Sequence, residues 1–184
     1  HKWLGEPSSL EEKIYKDWAI IDDIPHEARL ERYGVDFGYS HDPSSLIAVY
    51  YYNGGYILDE IVYRKGMSNK QLADTILNQE RIALTVADSA EPKSIDEIKS
   101  YGVNIVGAIK GQDSIKYGIK LVQDQRISVT KSSSNIIKEY QNYLWKKDRE
   151  GKLIETPQGG YDHALDAVRY ALTSLIMEDT TTAI

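Results

Sequence analysis

Two apolar runs, at residues 46–52 and 56–63, are separated only by Asn53-Gly54-Gly55. Asn and Gly tolerate positive φ, which a tight turn between antiparallel strands requires, so the stretch reads as a β-hairpin. Arg32-Tyr-Gly-Val-Asp-Phe-Gly38 precedes it and reads as another strand, with Asp36 set between Val35 and Phe37. Beyond the hairpin the period changes. Ser68 caps a predicted helix reaching Gln79, with Leu72, Ala73, Ile76 and Leu77 on one stripe. A buried-type strand at 83–88 ends in Asp88, and a helix at 92–101 follows, opened by Pro92 and stopped by Gly102. Strand 103–109, helix 114–122, strand 126–130, helix 132–145, an extended piece at 152–155 and a closing helix at 161–177 complete the order. A hairpin followed by helix-crossover strands implies an α/β fold: one mixed sheet with helices on both faces.

The 184 residues suffice for one domain with a proper core and are too few for two ordinary ones. Residues 1–30 read as a lead-in segment, with a helical turn or two at 11–18, and residues 31–184 as the folded domain. His1 is not a natural start, so the chain reads as a fragment of a longer protein. Residues 1–7 hold no apolar signal core, and no apolar run is long enough to cross a bilayer. The absence of cysteine excludes disulfide frameworks, thiol catalysis and thiolate zinc sites. The 14 tyrosines, against one phenylalanine, suit strands with one apolar face and a hydroxyl reaching water. A net charge of −6 means that any contact with nucleic acid needs a local basic patch or bound cations. There is no P-loop, no dinucleotide fingerprint, no His-Glu-x-x-His and no nucleophile-elbow serine.

Carboxylates carry the candidate chemistry. Asp36 lies inside an apolar strand, where an unpaired charge costs roughly several kcal/mol. Asp88 ends a second strand, at the edge where open sheets place their sites. Asp162 and Asp166 are four residues apart on the closing helix and share a face. Each acid taken singly has a structural explanation: a turn at Gly38, a cap at Asp88, an N-cap at Asp162, an Asp166–Arg169 pair. Together they form an oxygen-only donor set that repels itself unless cations intervene, and that suits Mg²⁺ or Mn²⁺. Two such ions, about 3.5–4 Å apart, can activate water and stabilise the leaving oxygen of a phosphodiester. His163, beside Asp162 and one turn before Asp166, is a metal ligand, a proton shuttle, a phosphate contact or an idle histidine. Lys110, Lys116 and Lys120, with Arg126 and Lys131, give residues 110–131 a net charge of +3, a solvated face or a DNA-backbone track. The amides opening a helix at Gly111-Gln112-Asp113-Ser114 could also meet a phosphate.

These motifs resemble the nuclease domain of tailed-phage large terminases. Tyr33-Gly-Val-Asp-Phe-Gly38 with Asp42-Pro-Ser-Ser45 is similar to the opening motif, and Val86-Ala-Asp-Ser-Ala-Glu-Pro92 to the second acid motif. Ala108-Ile-Lys-Gly111 with Ser114-Ile115 and Gly118-Ile119 resembles the middle block, and Asp162-His-Ala-Leu-Asp-Ala-Val-Arg-Tyr170 the closing motif. The resemblance implies an RNase H-like fold and metal-dependent cutting of double-stranded, concatemeric viral DNA during genome packaging in the host cell cytoplasm. It implies Asp36, Asp88 and Asp166 as catalytic ligands of two Mg²⁺ or Mn²⁺ ions, with Asp162 and His163 in the same closing motif. Asp166 is preferred over Asp162 as third ligand because a capping role is open to Asp162. The implied partners are an N-terminal ATPase domain in cis, the terminase small subunit and the capsid portal. A Holliday-junction resolvase or integrase-like enzyme shares the fold, and a non-catalytic DNA-docking module is the non-enzyme alternative.

Overall fold

The computed structural model describes residues 10–182, so the run at residues 1–7 lies outside the described residues. Its centre is a seven-stranded sheet of β1 (Ala19–Ile21), β2 (Arg29–Asp36), β3 (Ser44–Tyr52), β4 (Gly55–Arg64), β5 (Leu84–Ala87), β6 (Ile105–Gly107) and β7 (Ile127–Thr130). The spatial order is β1-β7-β4-β3-β2-β5-β6. β2, β3 and β4 form an antiparallel meander, and the β3–β4 turn takes positive φ at Asn53 and Gly54. The remaining pairings are parallel: β5 on β2, β6 on β5, β7 on β4 and β1 on β7.

Strand side chains alternate between faces, so β3 feeds two cores. Leu46 and Ala48 pack with α1 (Asn69–Leu77) and α2 (Pro92–Ser100) through Leu72, Ala73, Ile95 and Ile98. Ile47 and Val49 pack on the other face with α3 (Ser114–Gln123), α4 (Ser134–Asn142) and α5 (His163–Thr182), through Ile119, Val122, Ile136, Leu165 and Val168. The expected mixed sheet with helices on both faces is therefore present.

Local expectations differ in three places. Residues 11–18 form only a 3₁₀ turn at Leu10–Glu12. Ile14 and Tyr15 then enter the core, and Tyr15 lies against Trp18 and Tyr143 at 5.1 and 5.4 Å between ring centroids. This aromatic packing outweighs local helix propensity, and it leads into β1, an edge strand too short to be read from sequence. The helix expected at 132–145 stops at Asn142, because Tyr143 is extended and buried. Trp145 then opens β8 (Trp145–Lys147), which pairs with β9 (Leu153–Pro157) in a separate antiparallel ribbon.

Gly34 fixes how α5 crosses the sheet. A Cβ on Gly34 would lie 2.2 Å from the carbonyl oxygen of Ala167, so strand and helix backbones touch there. Gly34→Ala is expected to cost about 1–3 kcal/mol or more, since neither backbone can withdraw without moving the layer. Gly111→Ala, with open space around its would-be Cβ, should change little. Urea denaturation of both variants checks the contrast.

Candidate active site

Strand register brings the first two acids side by side. Val35 of β2 pairs in parallel with Ala87 of β5, so the next residue on each strand, Asp36 and Asp88, leaves the same end of the sheet. Adjacent strands lie about 4.8 Å apart. One Asp88 oxygen accepts from the Ala90 amide at 2.9 Å, so the expected turn-capping role is real and uses one of its two oxygens.

The first turn of α5 reaches that same end. Ser45, paired with Asp36 across β2–β3, donates its hydroxyl to the His163 carbonyl at 3.0 Å. The loop from Gly38 to Pro43 closes tightly beside it. The Gly38 amide donates to Ser44 Oγ at 2.9 Å, and a Cβ on Gly38 would collide with the Asp42 and Pro43 backbone at 2.3 Å.

The cap of α5 comes from another helix. Glu139 of α4, 2% exposed, accepts from the Leu165 amide at 3.0 Å, and Tyr63 donates its hydroxyl to the other Glu139 oxygen at 2.6 Å. Asp162 opens the helix through its backbone, accepting from the Asp166 amide at 2.7 Å. The expected side-chain N-cap by Asp162 is thus replaced by Glu139, which leaves the Asp162 carboxylate facing the other acids. Neither Glu139 nor Tyr63 stands out in sequence, because their pairing spans 76 residues and follows no local pattern.

His163 sits between carboxylates, with Nδ1 3.8 Å from Asp36 and Nε2 3.8 Å from Asp42. Asp36 beside it raises its pKa to about 9 against the effect of burial, and Asp162 and Glu139 add to the rise. Burial raises the Asp36 carboxyl, His163 opposes that rise, and Asp88 and Asp162 reinforce it. Burial likewise pushes Asp166 up to about 7; Arg169 pulls down, and Asp36 and Asp162 push up again. Arg169, 8% exposed, donates to Asp166 at 3.2 Å, so the expected Asp166–Arg169 pair is present. The structure therefore gathers Asp36, Asp88, Asp162, His163 and Asp166 in one electrostatic cluster. Among the described residues, no three His, Asp or Glu side chains converge on one point tightly enough to hold an ion.

The lysines are divided. Lys110 lines a small cleft with Arg169 and Tyr170, next to the acids. Lys116 instead pairs with Glu155 of β9 at 2.5 Å, and Lys120 adds to the positive field at that carboxylate.

An acid cluster at one end of a mixed sheet, crossed by a closing helix, defines an RNase H-like domain. The chain belongs to the terminase RNAseH-like domain family, which it matches over residues 36–174. It is 33% identical over 184 residues to the large terminase subunit of Bacillus phage SPP1, covering 93% of this chain and 43% of that protein. The chain thus spans less than half the length of that relative. The nuclease domain of the SPP1 large terminase, solved with bound Mn, superposes with a TM-score of 0.76 at 28% identity, over 87% of this chain and 97% of that one. The large terminase nuclease of thermophilic phage G20c, solved with bound magnesium, has the same fold: TM-score 0.62, 17% identity, 88% of this chain and 97% of that one.

The raised pKa values of Asp166 and His163 have a thermodynamic consequence. A folded state that holds these protons more tightly than the unfolded chain loses stability as pH rises through the interval between the two pKa values. For Asp166 the interval runs from the ordinary carboxylate value to about 7, and for His163 from about 6.5 to about 9. The melting temperature in EDTA should therefore fall as pH is raised across both intervals. Asp166→Asn should flatten the lower part and His163→Gln the upper; a melting temperature climbing with pH contradicts the assignment. Separately, Glu139→Ala leaves α5 amides and the Tyr63 hydroxyl without their acceptor, and should cost roughly 1–3 kcal/mol by denaturation.

Proposed function

We propose that this domain is a divalent-metal-dependent endonuclease that cuts concatemeric double-stranded viral DNA during genome packaging. The observation that carries the reading is the electrostatic cluster, within the terminase RNAseH-like family, of Asp36, Asp88, Asp162 and Asp166 at one end of the sheet, where burial and the neighbouring acids raise the pKa of Asp36 and Asp166. The donor set fits hard divalent cations in chemistry and charge: all oxygen, strongly acidic and mutually repelling. Asp36, Asp88 and Asp166 would hold two Mg²⁺ or Mn²⁺ ions, with Asp162 at their margin. Bound there, such ions would supply an activated water and neutralise charge on the leaving oxygen.

The chain's own residues do the rest. Arg169 orients the Asp166 carboxylate, and Glu139 fixes the turn of α5 that carries Asp162, His163 and Asp166. His163 lies beside Asp36, which favours its protonated form, and can supply a proton to the departing 3′ oxygen, a role worth roughly 10²–10⁴-fold. Lys110 extends the site toward the DNA backbone, with Lys120 and Lys116 farther along that face. In the longer protein we place an ATPase domain before this one, and the terminase small subunit and capsid portal as partners in the host cytoplasm. Among the described residues no helix is long and apolar enough to cross a membrane.

Plasmid cleavage with Mg²⁺, Mn²⁺ or EDTA tests the reading. Cutting should require the metal and vanish in Asp36→Asn and Asp88→Asn, and His163→Ala should slow it without abolishing it. Mn²⁺ should also raise the melting temperature of the unaltered domain at pH 8 and leave that of Asp36→Asn nearly unmoved. Metal-independent cutting, or preference for a four-way junction over linear duplex, would sink it.

A further inference from the structure

A cleft of about 480 Å³ opens on the other side of His163 from Asp36. It lies between the end of β4, the loop carrying His41 and Asp42, the start of α4 and the Gly160–Tyr161 approach to α5. Three exposed cations line it: Arg64, Lys65 and Lys138. None of the three makes an ion pair among the described residues, whereas Lys116, Lys131 and Lys147 are each paired with a carboxylate. The acids that share the cleft are Asp42, which faces His163 Nε2, and Glu139, which is buried and committed to α5 and Tyr63. The cleft therefore presents a net positive wall directly beside a strongly acidic cluster.

We infer that this cleft is a phosphate-backbone subsite, in which Arg64, Lys65 and Lys138 hold the DNA strand on one side of the phosphate to be cut. The inference rests on the nuclease reading above and adds to it the path of the strand. A duplex approaching the acids meets repulsion, and cations that are already ion-paired offer little counter-field. Unpaired, solvent-facing cations can displace the counterions condensed on DNA phosphates, and the release of those counterions is the main driving term for backbone binding. The exposed Tyr161 hydroxyl in the same wall offers a hydrogen-bond donor suited to phosphate and sugar oxygens. The cleft meets the acids through His163, so a strand seated in it passes the cluster without a gap. The sequence points to lysines 110–120 because they fall close together in the chain; Arg64 and Lys138 meet only through the fold.

The test combines Arg64→Ala, Lys65→Ala and Lys138→Ala in one variant of this domain, with Arg29→Ala at the opposite end of β2 as a charge-loss control. Binding of a short fluorescent duplex in EDTA is followed by anisotropy against salt, and Mn²⁺-dependent cleavage is followed at several DNA concentrations. Three lost phosphate contacts should lower the slope of log K against log salt by about 2–3 and weaken binding roughly tenfold at low salt. KM should rise by a similar factor with kcat changed less than about threefold, as expected when uniform binding is removed. Arg29→Ala should match the unaltered domain. If the unaltered domain cuts and the triple variant keeps its KM and salt slope, the subsite is overturned and the nuclease reading stands. If the unaltered domain does not cut with any divalent metal, the nuclease reading fails and takes the subsite with it.

Discussion

Where a side chain on Gly34 would begin, the carbonyl of Ala167 already stands. That contact lets α5 lie backbone-to-backbone across β2, and much else follows from it. A helix held one side chain farther out would carry Asp162, His163 and Asp166 away from the ends of β2 and β5. Instead its first turn falls where Asp36 and Asp88 emerge, tied by the Ser45 hydroxyl on one side and the Glu139 carboxylate on the other. Both ties are aimed at backbone atoms of the turn. They set the helix's position and leave the side chains of Asp162, His163 and Asp166 uncommitted to holding it.

This division has an electrostatic reason. A helix N-terminus favours negative charge, and three acids already crowd this one. Had Asp162 capped the helix with its own side chain, the acid needed at the cluster would have been drawn off into the backbone. Glu139 supplies the cap from α4 at the cost of burying a carboxylate, offset by hydrogen bonds from Tyr63 and the α5 amides. Arg169 does the corresponding work for Asp166. Its buried guanidinium keeps a carboxylate of raised pKa oriented, and removal of Asp166 would strand that charge, a loss of roughly 3–5 kcal/mol. Relief of carboxylate repulsion alone therefore does not describe what an acid-to-neutral substitution does at this site.

How much of this was legible in the sequence depends on whether the cause is local. Asp36 and Asp88 stand out because an acid bordered by apolar strand residues violates the local pattern, and Asp162 and Asp166 because their spacing is that of one helix face. The hairpin at Asn53-Gly54 and the alternating helices and strands fixed the class of sheet in the same way. Glu139, Tyr63 and β1 give no such signal. Glu139 resembles any helix-surface acid until α5 is laid beside it, and Ala19–Ile21 becomes a strand only because β7 offers a parallel edge. Ile14 and Tyr15 look like part of a weak amphipathic turn; a slot between Trp18 and Tyr143 makes them core.

Charge follows the same rule and bears on how an acidic domain can meet a polyanion. With a net charge of −6, long-range attraction to DNA is absent, and fields at the surface decay over a Debye length of about 8 Å at physiological salt. What matters is which cations remain free within that distance of the acids. Proximity in sequence does not answer this: Lys116 is held by Glu155, although it lies in a stretch, residues 110–131, of net charge +3. Arg64 and Lys138, scattered in sequence, end up on one wall beside His163 because β4 and α4 both terminate or begin at the acid end of the sheet. The fold thus sets acid and base side by side at one edge, where repulsion confines a phosphate to the positions that cations permit.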